Sequence, residues 1–102
     1  MSQYAIPAIR ALIARDLIEV HNMTQKNAAK RLGMTQPAVS QYKKHSRGNR
    51  AKTIGKDTVI NEKVSKISKS LAKNEMSPEE ASIEMCEICK YIRDNKMVKK
   101  II

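Results

Sequence analysis

Apolar residues recur every three or four positions along most of the chain, which is the spacing that places side chains on one face of an α-helix. The first such run spans residues 7–21, and Pro7 suits the first turn of a helix because its missing N–H is not needed there. The apolar positions of this run are Ile9, Leu12, Ile13, Leu17 and Val20. The pattern predicts a core helix near the start of the chain.

Two further helical patterns cover residues 58–73 and 78–99. The second opens with Ser77 and Glu80 at the spacing of a capping box, with Pro78 at the first helical position. Their apolar positions are Ile60, Val64, Ile67 and Leu71, then Ala81, Met85, Ile88 and Ile92. These seams fit a core, a dimer interface or a mixture of both. We favour the mixture because apolar residues near the C-terminus extend past the expected core. Those residues are Met97, Val98, Ile101 and Ile102.

Residues 24–44 contain two short helical patterns separated at Gly33. Thr24 and Thr35 each precede one pattern and can cap its first backbone N–H groups, and Gly33 can end the first helix with a positive φ. The small and apolar positions expected to pack inward are Ala28, Ala29, Leu32, Val39 and Tyr42. Two short helices joined by a tight turn predict a helix-turn-helix over residues 24–44.

The stretch 46–57 is predicted to be a basic loop, because it has two glycines and four basic residues, with only Ala51 and Ile54 apolar. A length of 102 residues fits one domain. Three tyrosines are the only aromatic residues, which suits packed helices better than a sheet. The expected fold is therefore a single all-α domain over residues 1–102 with five helices.

Charge adds a functional constraint, since the chain carries a net charge of +10. Residues 23–56 contain nine lysines and arginines and no acidic residue, so nearly all of the excess is local. Such a segment indicates a polyanionic partner, with nucleic acid favoured over an anionic membrane surface.

No apolar run approaches the roughly 20 residues that span a bilayer, and charged residues interrupt any signal-peptide core. We expect a cytoplasmic protein with no membrane partner.

The second helix of the 24–44 segment has polar residues suited to reading DNA bases. If Val39 and Tyr42 pack inward, the outward positions are Gln36, Pro37, Ser40, Gln41 and Lys44. A glutamine amide donates and accepts at once, which matches N6 and N7 of adenine, and a proline ring suits a thymine methyl group. No arginine lies between Gln36 and Gln41, so we expect A·T pairs to dominate the readout.

The surrounding residues are expected to hold the DNA backbone. Gln25 is expected to bond a phosphate and to brace Gln36. Basic side chains contact phosphates, which set affinity and register without reading sequence. The residues assigned to this role are Lys26, Lys30, Lys43, Lys44, Arg47, Arg50 and Lys52.

The phrases PAIRALIA (7–14), TQPAVSQY (35–42) and CEIC (86–89) resemble those of small archaeal predicted transcriptional regulators with a helix-turn-helix of the Cro and lambda-repressor type. The resemblance covers nearly the whole chain. It implies a five-helix DNA-binding domain that regulates transcription, and it supports the pairing of Gln25 with Gln36. Such relatives are expected to have a further cysteine near the N-terminus. Residues 1–7 have none, which departs from the pattern of a shared metal site.

Cys86 and Cys89 lie one helical turn apart and supply two soft ligands, where zinc or an iron–sulfur cluster normally takes four. They fit free thiols or, across a dimer, a shared four-cysteine site that would make a metal-sensing or redox-sensing regulator. Otherwise no cofactor is expected.

The predicted function is a sequence-specific regulator that binds double-stranded DNA as a homodimer. An architectural or weakly specific chromosomal protein is the alternative. An RNA-binding module is disfavoured because single-strand readers stack bases on aromatic residues. An enzyme is not expected, since no acid, base and nucleophile cluster in the sequence.

Overall fold

The computed structural model describes residues 2–46 and 48–94, and for residues 2–6, 49 and 50 it describes the backbone only. This part of the chain is all-α, as predicted, with six helices and no strand. The helices are α1 (Ser2–Glu19), α2 (Gln25–Leu32), α3 (Gln36–His45), α4 (Asn49–Gly55), α5 (Thr58–Ala72) and α6 (Pro78–Asp94).

Helix α1 forms the centre of the fold, and each of the other five helices contacts it. Its buried residues are Ala8, Ile9, Ala11, Leu12, Ile13, Ala14 and Leu17. They cover more than one face, and a helix that is apolar on several sides is stable in water only when neighbours cover those sides. The predicted core role of this helix is confirmed.

The bounds of α1 differ from the prediction at both ends. The helix begins at Ser2, so Pro7 lies inside it rather than in its first turn. The missing N–H of a proline removes one helical hydrogen bond, to the carbonyl four residues earlier, and the apolar run that follows offsets this loss by burial. At the other end, α1 stops at Glu19 and Asn22 takes a positive φ of 56°. Val20 is therefore 64% exposed, and its predicted place in the core was wrong.

The predicted loop over residues 46–57 was also wrong, because α4 lies within it and raises the helix count from five to six. Gly48 is the N-cap in an extended conformation, and Lys52 and Lys56 remain exposed. Ala51 and Ile54, three residues apart, are both buried. These two side chains lie at helical spacing and pack in the core cluster with residues of α1.

The two C-terminal helices are capped by side chains. Asp57 Oδ1 accepts a hydrogen bond from the Ile60 N–H at 3.1 Å. Ser77 and Glu80 make the predicted capping box, with Ser77 Oγ accepting from the Glu80 N–H and Glu80 Oε1 from the Ser77 N–H. The Tyr91 hydroxyl donates to Asp57 Oδ2 at 3.1 Å and so links α6 to the start of α5.

The eight apolar seam residues of α5 and α6 are all buried. Residues 95–102, which include the apolar tail, lie outside the described residues.

Candidate nucleic-acid interface

Helices α2 and α3, joined by residues 33–35, are each started by a threonine. Thr24 Oγ1 accepts from the Asn27 N–H at 3.1 Å, and Thr35 Oγ1 accepts from the Ala38 N–H at 3.3 Å. Both threonines have extended backbone angles, as N-cap residues should. The two caps predicted from the sequence are confirmed.

Gly33 ends α2 in the left-handed region, at φ 67° and ψ 34°. The following N–H, of Met34, donates to the Ala29 carbonyl at 2.9 Å, which closes the helix end. A Cβ at Gly33 would also lie 2.9 Å from Pro78 Cβ, at the start of α6. The turn therefore needs glycine for two reasons. The sequence indicated the backbone angle, whereas the contact with α6 follows only from the tertiary structure.

The inward faces of α2 and α3 pack as predicted from the sequence. Ala28, Ala29, Leu32 and Val39 are buried in the same core cluster as the residues of α1. Tyr42 is half-buried against that core, and its hydroxyl accepts a hydrogen bond of 3.5 Å from Arg10 Nη1 on α1. These contacts fix which side of α3 faces outward.

The outward side of α3 carries most of the predicted base-reading residues. Gln36, Pro37, Gln41 and Lys44 are exposed, and Ser40 is half-buried. Lys43, which was predicted to contact a phosphate, is also half-buried. Gln36 and Pro37 occupy the first turn, where the Gln36 N–H has no helical partner, Pro37 has no N–H and the Ala38 N–H is bound by Thr35 Oγ1. The first turn and the adjoining outward face thus present amide groups and an apolar ring to solvent.

The predicted phosphate contacts are placed more unevenly. Lys26, Lys30 and Lys52 are exposed, and Gln25 is half-buried at the first position of α2. No hydrogen bond joins the side chains of Gln25 and Gln36 in the described part of the chain. Arg47 lies outside the described residues, and so does the side chain of Arg50. Their assignments stay predictions.

The ends of the helices add to the positive charge of this region. Neither α2 nor α3 has an acidic residue in its first turn, and threonine rather than aspartate caps each helix. By contrast, Asp57 caps α5, and α6 has Glu79 and Glu80 in its first turn. The N-terminal ends of α2 and α3 keep their positive partial charge, which complements an anion such as phosphate.

Ser46 is a structural residue of this region that the sequence did not indicate. It is 4% exposed, and its Oγ donates to the Lys43 carbonyl at 2.6 Å. Its N–H donates to the Tyr42 carbonyl at 3.0 Å. Ser46 therefore closes α3 and satisfies carbonyl groups at its C-terminal end. A serine after a basic last turn is too common a signal to identify this role from sequence.

The two cysteines are free thiols on α6, with Cys86 exposed and Cys89 half-buried. Burial, reinforced by Cys86, raises the pKa of the Cys89 thiol to about 11, although Arg10 and Arg93 oppose the shift. Within the described residues, no three His, Cys, Asp or Glu side chains come together as a metal site. A four-cysteine site shared between two protomers stays a prediction.

Within residues 2–46 and 48–94, no helix combines the length and apolarity needed to cross a bilayer. Comparison of the chain with family models, curated proteins and solved structures found no match. We therefore infer function from the chain's own residues and their geometry.

Proposed function

We propose that the chain is a sequence-specific transcriptional regulator that binds double-stranded DNA through the helix-turn-helix formed by α2, residues 33–35 and α3. One observation carries the proposal. The first turn and outward face of α3 expose Gln36, Pro37 and Gln41 within a segment of nine basic and no acidic residues. Val39, on the other side of α3, is fully buried and fixes this orientation.

In this proposal α3 lies in the major groove with its N-terminal residues against the base edges. The amides of Gln36 and Gln41 each offer a donor and an acceptor to an adenine, and the ring of Pro37 contacts a thymine methyl group. Ser40 adds a hydroxyl at the edge of this surface. The readout favours A·T pairs because the outward residues from 36 to 41 include no arginine for guanine.

The flanking basic residues bind phosphates and set the register of the protein on the duplex. Lys26 and Lys30 on α2 and Lys43 and Lys44 on α3 supply the side chains, and the N-terminal end of α2 supplies backbone N–H groups. Gln25 bonds a phosphate beside this helix end. Arg47 and Arg50 follow α3 in the sequence, and we propose that they bind further phosphates.

We propose that the regulator acts as a homodimer whose two α3 helices meet half-sites about 34 Å apart, one turn of DNA. An architectural chromosomal protein would use the same charges without reading bases. The difference between the two is whether DNA sequence changes the affinity, so the test has to measure base preference rather than binding alone.

The test is selection of bound duplexes from a random pool, with the Gln36→Ala/Gln41→Ala variant selected in parallel. We expect the wild-type protein to enrich one motif with A·T pairs in two half-sites, and the variant to lose preference at those pairs. Binding without enrichment would favour the architectural role. Failure to bind any duplex would contradict both roles.

A further inference from the structure

Helix α6 carries an exposed acidic face that DNA binding does not use. Five of the chain's ten acidic residues lie in this helix, and all five are exposed. Glu80, Glu84 and Glu87 are spaced four and three apart and therefore share one side of the helix. Ile83, beside this row, is 63% exposed and offers an apolar contact to a partner.

Helix α5 carries a row of opposite charge. Lys63, Lys66 and Lys69 are exposed at intervals of three, and Lys73 follows directly after the helix. Helices α5 and α6 pack against each other and leave a groove of about 310 Å³, which is lined by Lys63 and Lys66 of the lysine row and Glu84 of the glutamate row. The residues that line this groove are Lys63, Lys66, Ile67, Ser70, Met76 and Glu84.

This surface carries both acidic and basic residues, so its charges complement those of a second copy of the chain. Two protomers of charge +10 repel each other, and a contact in which acids face bases reduces that repulsion. In a two-fold contact the same surface is used twice, so the α6 row of each protomer can face the α5 row of the other. The exposed Ile83 then faces a groove whose lining includes Ile67 and Met76.

We propose that the groove between α5 and α6 is a homodimer interface in which the α6 glutamates of each protomer pair with the α5 lysines of its partner. None of the residues that line the groove belongs to α3, so this contact leaves the outward face of α3 accessible. The inference rests on the homodimer proposed above and places its interface, and it does not depend on whether α3 reads bases.

The experiment is a charge swap measured without DNA, by sedimentation equilibrium at about 0.15 M salt. In Glu84→Lys, the new lysine of each protomer faces Lys66 of its partner, so two positive charges meet. In Lys66→Glu, the new glutamate faces Glu84 of the partner, so two negative charges meet. We expect each variant alone to self-associate about tenfold more weakly than wild type, or worse. An equimolar mixture should recover association as a heterodimer, because both of its contacts pair opposite charges. Glu19→Lys on α1, which makes the same change of charge away from the groove, should associate like wild type.

Circular dichroism of each variant checks that the helices form, and the recovery in the mixture shows independently that both variants fold. A monomeric wild-type protein at millimolar concentration would overturn the interface. So would variants that associate like wild type, or a mixture that stays monomeric. Loss of DNA affinity in Lys66→Glu with unchanged self-association would also overturn it, by assigning the lysine row to DNA.

Discussion

The two cysteines of α6 differ in their chemistry although they are one helical turn apart. The thiolate is the nucleophile that attacks an alkylating reagent, and with a pKa of about 11 the Cys89 thiol is ionised only to about one part in a thousand at pH 8. Cys86 is exposed. We expect iodoacetamide at pH 8 to modify Cys86 well before Cys89, as followed by peptide mass spectrometry. Equal rates for the two thiols would contradict this placement.

Asp16 on α1 has a carboxyl group in an unfavourable place for its charge. Burial raises its pKa above 3.8, more than Arg15 and His21 lower it, and Glu19 adds to the rise. The buried Ser68 Oγ has the smallest effect and lowers the pKa of Asp16. It makes no hydrogen bond of ordinary geometry within the described residues. Asp16 in its ionised form therefore weakens the folded state.

The sign of this effect gives a pH prediction. A raised folded-state pKa contributes stability that is fully present below the unfolded pKa and is lost as the pH rises through the folded value. Asp16→Asn removes the charge, so we expect the variant to unfold at higher urea concentration than wild type at pH 7. The difference in stability between the variant and the wild-type protein should become smaller as the pH falls toward 4, because the Asp16 carboxylate becomes protonated. A variant less stable than wild type at pH 7 would contradict the account.

Helix α4 occupies a stretch whose composition is typical of a loop, so its contribution to the stability of the fold can be tested by mutation. Ile54 is fully buried, whereas Lys56 just beyond the helix is exposed. We expect Ile54→Ala to lower the free energy of unfolding by about 2–5 kcal/mol, as for other buried aliphatic residues. Lys56→Ala, the matched control, should change it by less than about 0.5 kcal/mol. Urea denaturation measures both, and equal effects would mean that α4 is not part of the core.

The elements that could be predicted from sequence are those fixed by local chemistry. Thr24, Thr35 and the Ser77–Glu80 pair cap their helices through side chains within three residues of the groups they bind. The long apolar seams of α5 and α6 repeat over several turns, so their buried faces were also predictable.

The elements that were missed depend on contacts between distant parts of the chain. Helix α4 offers only two apolar residues, and their burial requires neighbouring helices such as α1. The contact of Gly33 with Pro78 joins positions far apart in sequence. Exposure of Val20 follows from where Asn22 turns the chain. In the candidate site, the outward side of α3 was predictable from Val39, but the half-burial of Ser40 and Lys43 was not.

At the scale of the whole molecule, charge is distributed unevenly among the helices. The acid-free segment from residue 23 to residue 56 includes α2, α3 and α4, while half of the acidic residues lie in α6. In the proposed complex, a polyanion is attracted to α2, α3 and α4 and repelled by the acidic residues of α6, and this difference would orient the protein on DNA before any base is contacted.

This division predicts which charges matter for DNA affinity. Removing a phosphate contact with Lys44→Ala should weaken binding to all duplexes alike. It should reduce the slope of log K against log salt by about 0.9. Lys90→Ala on α6 removes the same charge from the acidic helix and should leave the slope unchanged. Titrations at several salt concentrations measure both slopes, and an equal reduction in the two variants would place the DNA elsewhere.

The most direct test of the central claim pairs Gln36→Ala with single base-pair changes across the selected site, with affinities measured at one salt concentration. We expect the wild-type protein to lose about 1–3 kcal/mol when one particular A·T pair is changed, and the variant to be nearly indifferent at that pair while it still discriminates at the others. A variant that keeps the full wild-type base preference at every position would show that the start of α3 does not read DNA.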